Sequence, residues 1–146
     1  MTHRAESIVT TLVATLTGLT TTGARVYRGR AYPLQDAQYP ALLIYLGQDE
    51  LQADYSQEKY DSLLTVWVEA RVKTVASQVD TVLNTIREEV TVALQADYTQ
   101  GLGYVIDTRE GDAAEPELGG DGNQPTGALR MQWQFLYRRS RTNPGA

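Results

Sequence analysis

The chain has 146 residues, 42% of them hydrophobic and 21% charged, with a formal net charge of −5, no cysteine and a single histidine. That length and mix fit one globular domain with a real core, and exclude a disordered chain or two full-sized domains. Disulfides, thiolate metal ligands and a cysteine nucleophile are excluded outright; the acidic balance argues against a general binder of phosphate backbones.

The elements follow in chain order. Ala5, Ile8, Val9, Leu12, Val13 and Leu16 recur at helical spacing, which predicts a helix near 3–17 with one buried face and Gly18 as its stop. Glu6 and the repeated threonines dilute this apolar stretch, so it reads as a helix of the mature protein rather than a signal peptide. No apolar run approaches the roughly 20 residues of a membrane-spanning helix. A turn at Thr20–Gly23 leads to a short basic, aromatic strand from Arg25. An irregular segment with Pro33 follows, and Pro40 launches an apolar strand, Ala41–Leu46, expected to be buried on both faces. Tyr60–Val72 alternates, with Leu64, Val66, Val68, Ala70 and Val72 on one side and Trp67, Glu69 and Arg71 on the other.

Val79, Val82, Leu83, Ile86, Val90, Ala93 and Leu94 form the stripe of a second helix, for which Ser77 and Asp80 suggest a capping pair. Tyr104–Thr108 reads as a short strand and Ala128–Arg138 as a longer one, with Leu129, Met131, Trp133, Phe135 and Tyr137 on one face. The glycine-rich acidic stretch between them, about 110–127, is expected to be a mobile loop, and 140–146 a frayed tail. The order predicts a single α+β domain over 1–146, two helices packed on a mainly antiparallel sheet of four to five strands with long loops. Its core is expected to join Leu12, Leu16, Leu43, Val66, Val68, Val82, Ile86, Val90 and Phe135. A doubly wound parallel sheet would need more helical crossovers than the connections provide.

Chemical motifs are weak throughout. Gly119, Gly120 and Gly122 have no following lysine or helix N-terminus to make a phosphate loop. Asp49 with Glu50, and Asp107, Glu110 and Asp112, match no calcium or other metal spacing and read as solvated loop charge. The serines lack a nucleophile-elbow context, and His3, at a terminus, reads as an incidental surface residue rather than the base of a triad. The chain is therefore expected to be no enzyme and to need no cofactor or metal.

Aromatic residues say more. Nine tyrosines stand against one phenylalanine. Tyr39 and Tyr45 lie in the apolar strand region and are expected in the core. Tyr27 and Tyr32 interleave with Arg25, Arg28 and Arg30, and an interface reading and a structural one both stand open for them, because arginine and tyrosine dominate interface energetics. Nucleic acid is a third reading of that patch.

The succession of an amphipathic helix, Arg25-Val26-Tyr27, Arg30, Pro33-Leu34 and Tyr39-Pro40-Ala41-Leu42-Leu43-Ile44-Tyr45-Leu46 resembles the tail terminator family of long-tailed bacteriophages, of the lambda-type minor tail protein U kind. The resemblance covers most of the chain as architecture and about twenty residues as recognisable pattern. It implies a structural virion protein at the tail–neck junction, made in the host bacterial cytoplasm. Such a protein forms a homo-hexameric ring on the finished end of the tail tube, ends tube polymerisation and presents the surface that joins the head connector. The implied partners are other copies of itself, the major tail tube protein and head–tail connector or neck proteins, with DNA only as a passing occupant of the channel and no membrane. In that setting Arg28, Arg30 and Tyr32 are the candidate subunit or tube interface, and the acids from Asp49 and Glu50 to Asp61 their complement on a neighbour. The alternatives are a neck, head-closure or tail-completion protein at an adjacent layer, a monomeric ligand-binding module, and an enzyme.

Overall fold

The computed structural model describes residues 2–29, 34–54, 58–119 and 125–146. Helix α1 (Arg4–Leu16) is capped by His3, whose Nδ1 accepts a hydrogen bond from the Ala5 amide at 3.0 Å, so this histidine has a structural task at the helix start. Ile8, Val9, Leu12 and Leu16 are buried on one face. The helix stops where predicted because Gly18 takes φ +97°, a left-handed conformation that glycine adopts without strain, and its amide turns to the Gly23 carbonyl.

Strand β1 (Val26–Arg28) runs parallel to β2 (Ala41–Asp54), which pairs antiparallel with β3 (Lys59–Lys73). One 3₁₀ turn, Ala76–Gln78, leads into α2 (Val79–Gln95). The expected Ser77–Asp80 capping pair does not form, since Ser77 already lies inside the 3₁₀ turn and the helix begins after Gln78 without a side-chain cap. Strands β4 (Val105–Ala113), β5 (Glu117–Gly119) and β6 (Thr126–Ser140) complete the chain. The order across the six-stranded sheet is β1-β2-β3-β6-β4, with β5 beside β6 as well. Both β3 and β4 run antiparallel to β6, so α2 carries the chain from the end of β3 across to β4 and leaves a slot that β6 fills last. The fold is the expected α+β arrangement, mainly antiparallel, with β1 as its parallel exception.

The helices cover one sheet face. Their stripes meet Leu42 and Ile44 of β2, Leu64, Val66, Val68, Ala70 and Val72 of β3, and Leu129, Met131, Trp133, Phe135 and Tyr137 of β6 in one continuous core. Leu43 is not part of it: alternation along β2 turns Leu43 to the opposite face, where it packs with Ala41 and Leu34 in a separate small cluster. Val82 lies at the margin of the helix stripe and is only partly buried. At Gly127 the sheet and α2 approach so closely that a Cβ would sit 2.5 Å from Val79 Cγ1.

Two expected loops are more ordered than their composition suggests. Within 110–127, β4 continues to Ala113, β5 spans Glu117–Gly119 and β6 begins at Thr126; the Gly120 and Gly122 of the glycine cluster lie outside the described residues. Acidic and glycine residues are tolerated there because the strand positions are exposed and the pairing with β6 needs only their backbone. The expected frayed tail instead turns back on the sheet, with the Arg141 amide donating to the Glu58 carbonyl at 2.7 Å and the Arg4 amide to the Pro144 carbonyl at 2.9 Å. Among the described residues no helix is long and apolar enough to cross a membrane.

Ile86 is 1% exposed at the centre of the α2 stripe. Replacing it with aspartate is expected to destabilise the domain by at least about 4 kcal/mol, because a carboxylate there has neither water nor a partner. Gly127→Ala should be milder, about 1–3 kcal/mol, as α2 is pushed off the sheet. Urea denaturation followed by circular dichroism measures both, and an Ile86→Asp variant as stable as its parent would exclude this packing.

Candidate functional site

Among the described residues, the sheet face turned away from the helices is covered only at one side. There the segment from Leu34 to Tyr39, containing a 3₁₀ turn at Asp36–Gln38 tied to β3 by an Asp36–Lys73 ion pair of 2.6 Å, lies over Ala41 and Leu43. Tyr27, Tyr39 and Tyr45 border this small cluster half-buried, which places Tyr39 and Tyr45 at the margin of a second, minor core rather than in the main one.

Beyond Tyr45 the face is open. Strict pairing of β3 with β6 sets Leu63 beside Leu136, Thr65 beside Gln134, Trp67 beside Gln132, Glu69 beside Arg130 and Arg71 beside Ala128. The Arg130 guanidinium lies 5.3 Å from the Trp67 ring centroid and 5.8 Å from that of Tyr45, a cation held between two aromatic rings. Gly47, in a bulge of β2 between Leu46 and Asp49, permits this arrangement, since a Cβ there would meet the Thr65 carbonyl at 2.8 Å and the Trp67 indole nitrogen at 3.0 Å. Glu69, though almost buried, accepts from Arg71 Nη2 at 3.1 Å. Burial and the Glu69 charge push the Tyr45 phenol above its ordinary value. The result is an amphipathic, aromatic and arginine-bearing surface of the kind that protein interfaces favour.

Of the residues that the sequence grouped as an interface, the structure describes Arg28, Asp49 and Glu50. Arg28 sits on the helix side of the sheet, where Nη1 and Nη2 donate to Glu6 Oε1 and Oε2 at 2.6 and 3.0 Å and tie β1 to α1. That bidentate pair holds the Glu6 carboxyl below the usual range. Arg30 and Tyr32 lie outside the described residues. Asp49 and Glu50 are not in a loop: β2 runs on through both. Asp49 accepts a 2.6 Å hydrogen bond from the Tyr137 hydroxyl, while Glu50 is exposed. Arg28 is paired with Ile44, five residues before Asp49, so Arg28 and these acids stand about 15 Å apart along the strand within one copy. Arg138, by contrast, forms a bidentate pair with Asp61 across the open face, at 2.8 and 3.3 Å.

Sequence reasoning missed Arg130 and its two rings. The signal was present in the alternation of the last strand, whose polar face reads Arg130, Gln132, Gln134, Leu136, Arg138, but only strand register could bring Trp67 and Tyr45 beside it. A shallow cleft of about 540 Å³ lies between α2 and the β4–β5 connection, with Asp80, Asn84, Arg87 and Glu115 in its walls. Among the described residues no three histidine, cysteine, aspartate or glutamate side chains come together as a metal site.

No family model matches the chain, and no curated protein does. Among solved structures, a chain of "Virion of native gene transfer agent (GTA) particle" is similar with a TM-score of 0.45 at 11% identity, over 86% of this chain and 84% of that one.

On the opposite, helix-covered face, Tyr137 makes the stability of the fold depend on pH. Burial, and then the Asp49 carboxylate beside it, push its phenol far above the ordinary value, so it stays protonated in the folded chain where an unfolded chain would ionise it. Its contribution to stability is therefore complete below about pH 10 and is lost as pH rises above that value. Tyr137→Phe is expected to lower stability at neutral pH by about 1–2 kcal/mol and to flatten the alkaline decline. Urea titrations of both proteins at stepped alkaline pH measure the difference, and parallel declines would exclude the linkage.

Proposed function

We propose that this chain is a structural virion protein of a long-tailed bacteriophage that caps the tail tube as a ring, ends tube polymerisation and offers the joining surface to the head connector. Two things support the reading. The stretch Arg25–Leu46, which carries the resemblance to tail terminators, supplies β1 and the apolar start of β2, with the Leu34–Tyr39 cover between them. The observation that carries the proposal is the second sheet face, left open with Arg130 held between Trp67 and Tyr45 while the helices enclose the first. A sheet covered on one face and bearing aromatic and arginine anchors on the other is built to meet another protein surface.

In this reading the acidic chain, at −5 per copy, lines a channel from which DNA is repelled rather than held. The partners are further copies, tail tube subunits on one side and connector or neck proteins on the other, and the reading contains no catalytic step.

Electron microscopy of the protein mixed with the tube subunits of its own phage tests the proposal. A ring at one tube end, with tubes shortened as the protein is added in excess, is the expected result. Tubes that grow uncapped overturn it, and binding to isolated connectors without binding to tubes would move the protein to an adjacent neck layer. Trp67→Ala with Arg130→Ala should keep the fold, both side chains lying outside the helix-covered core, and reduce capping at least about tenfold.

A further inference from the structure

We propose that two copies of this chain join edge to edge through β4, antiparallel about a two-fold axis at Thr108, so that the two sheets continue across the contact. Strand β4 ends the sheet order on the side away from β1, with β6 on its inner edge and no strand among the described residues on its outer one. Residues 58–119 are described without a break, so β4 and the connections before and after it all enter that statement. Gly119, the last described residue before 125, is level with Thr126 at the start of β6, whereas Thr108 is level with Phe135 near its other end. Register shifts between Val105 and Asp107 and between Glu110 and Ala113 leave Asp107 to Glu110 as the regular part of this edge. A short segment bounded by bulges makes a poor template for an extended ladder, yet it can pair with one copy of itself and stop there.

That segment is its own complement in charge. Antiparallel pairing about Thr108 sets Asp107 of each copy directly opposite Arg109 of the other, and Thr108 opposite Thr108. Within one copy Arg109 reaches Asp107 at 3.2 Å along the same strand, and each side chain is nearly half exposed. The second copy gives each of them another opposite charge. Sliding one copy by two residues would set Asp107 on Asp107 or Arg109 on Arg109, so charge fixes the register. Two large apolar side chains flank the segment in the open, Ile106 at 36% and Tyr98 at 60% exposure, and the Tyr98 carbonyl is held to β4 by a 2.8 Å hydrogen bond from the Thr108 hydroxyl. Beside the same edge a cation is left over. Arg4, in a cleft of about 340 Å³ lined also by Tyr104 and Ile106, lies 4.3 Å from the Tyr104 ring centroid and donates to the Arg138 carbonyl at 2.6 Å. No carboxylate among the described residues pairs with it, and its buried Nε has no acceptor. Glu110 is exposed and likewise has no ion pair among the described residues. The two-fold sets Glu110 of one copy level with Ile106 of the other, and so brings a carboxylate to the side of the cleft that lacks one.

Charge exchange tests the contact. Asp107→Arg and Arg109→Asp each set like charges opposite one another twice, and each is expected to weaken self-association about tenfold or more. The circular dichroism of both should remain that of the parent, because neither side chain belongs to the core. An equimolar mixture of the two variants should recover association, and so should one chain carrying both changes, since in either case every cation again meets a carboxylate. Sedimentation velocity over a dilution series reads the association. Because the chain has no cysteine, Asp107→Cys mixed with Arg109→Cys adds an independent readout: under mild oxidation a disulfide should form between the two variants faster than within either alone, whether or not the copies also stand in rings. A parent that stays monomeric across the series, single variants that associate as the parent does, absence of recovery in the mixture, or no preference for the mixed disulfide overturns the contact. The contact stands apart from the ring reading, which the capping of tubes decides.

Discussion

Everything in this domain hangs on the pairing of β3 with β6, fifteen residues long and without a slip from Lys59 beside Ser140 to Lys73 beside Thr126. Because side chains alternate with period two, a single register sorts thirty residues between two faces at once, and a shift of one place would bury Trp67, Glu69 and Arg71 while exposing Val66, Val68 and Ala70. The hydrophobic penalty of that exchange locks the register. The helices then need only cover the apolar face, and the open face inherits its composition as the complement of the core. The core and the surface assigned to assembly are in this sense two readings of the same alternation.

The parts of the fold that were legible in sequence are those governed by local period. Both helices, the long alternating strand Tyr60–Val72 and the face Leu129–Tyr137 were evident because each has enough residues to state its period. What stayed hidden was decided by pairing across long separations. Strand β2 was expected to end at Leu46, where the apolar run ends, yet β3 continues to supply backbone partners to Asp54, so polar and acidic residues become strand. The same holds for Glu110–Ala113 and Glu117–Gly119 against β6. Leu43 was misassigned to the main core because a run apolar on every residue carries no facing signal. Arg28 is exposed as expected, but its ion pair was not legible, because the Glu6 that pairs with it lies 22 residues earlier on another element.

Charge in this chain is distributed by role rather than by count. The ion pairs Arg28–Glu6, Lys73–Asp36 and Arg138–Asp61 each join two different elements, and all are at least partly exposed, so each contributes little energy and mainly fixes orientation.

The bulges of β2 have a consequence for the chain before it meets any partner. A rim of ten residues that no strand among the described residues pairs, set beside exposed leucines, is the sort of template on which strands from other chains stack without limit. Here the register breaks between Leu46 and Asp49 and again between Leu51 and Ala53, which twists the rim away from a flat ladder, and carboxylates stand at the turns. The same breaks and charges thus work against open-ended strand stacking, so the feature that frees this rim from a flat ladder also makes it a poor template for one.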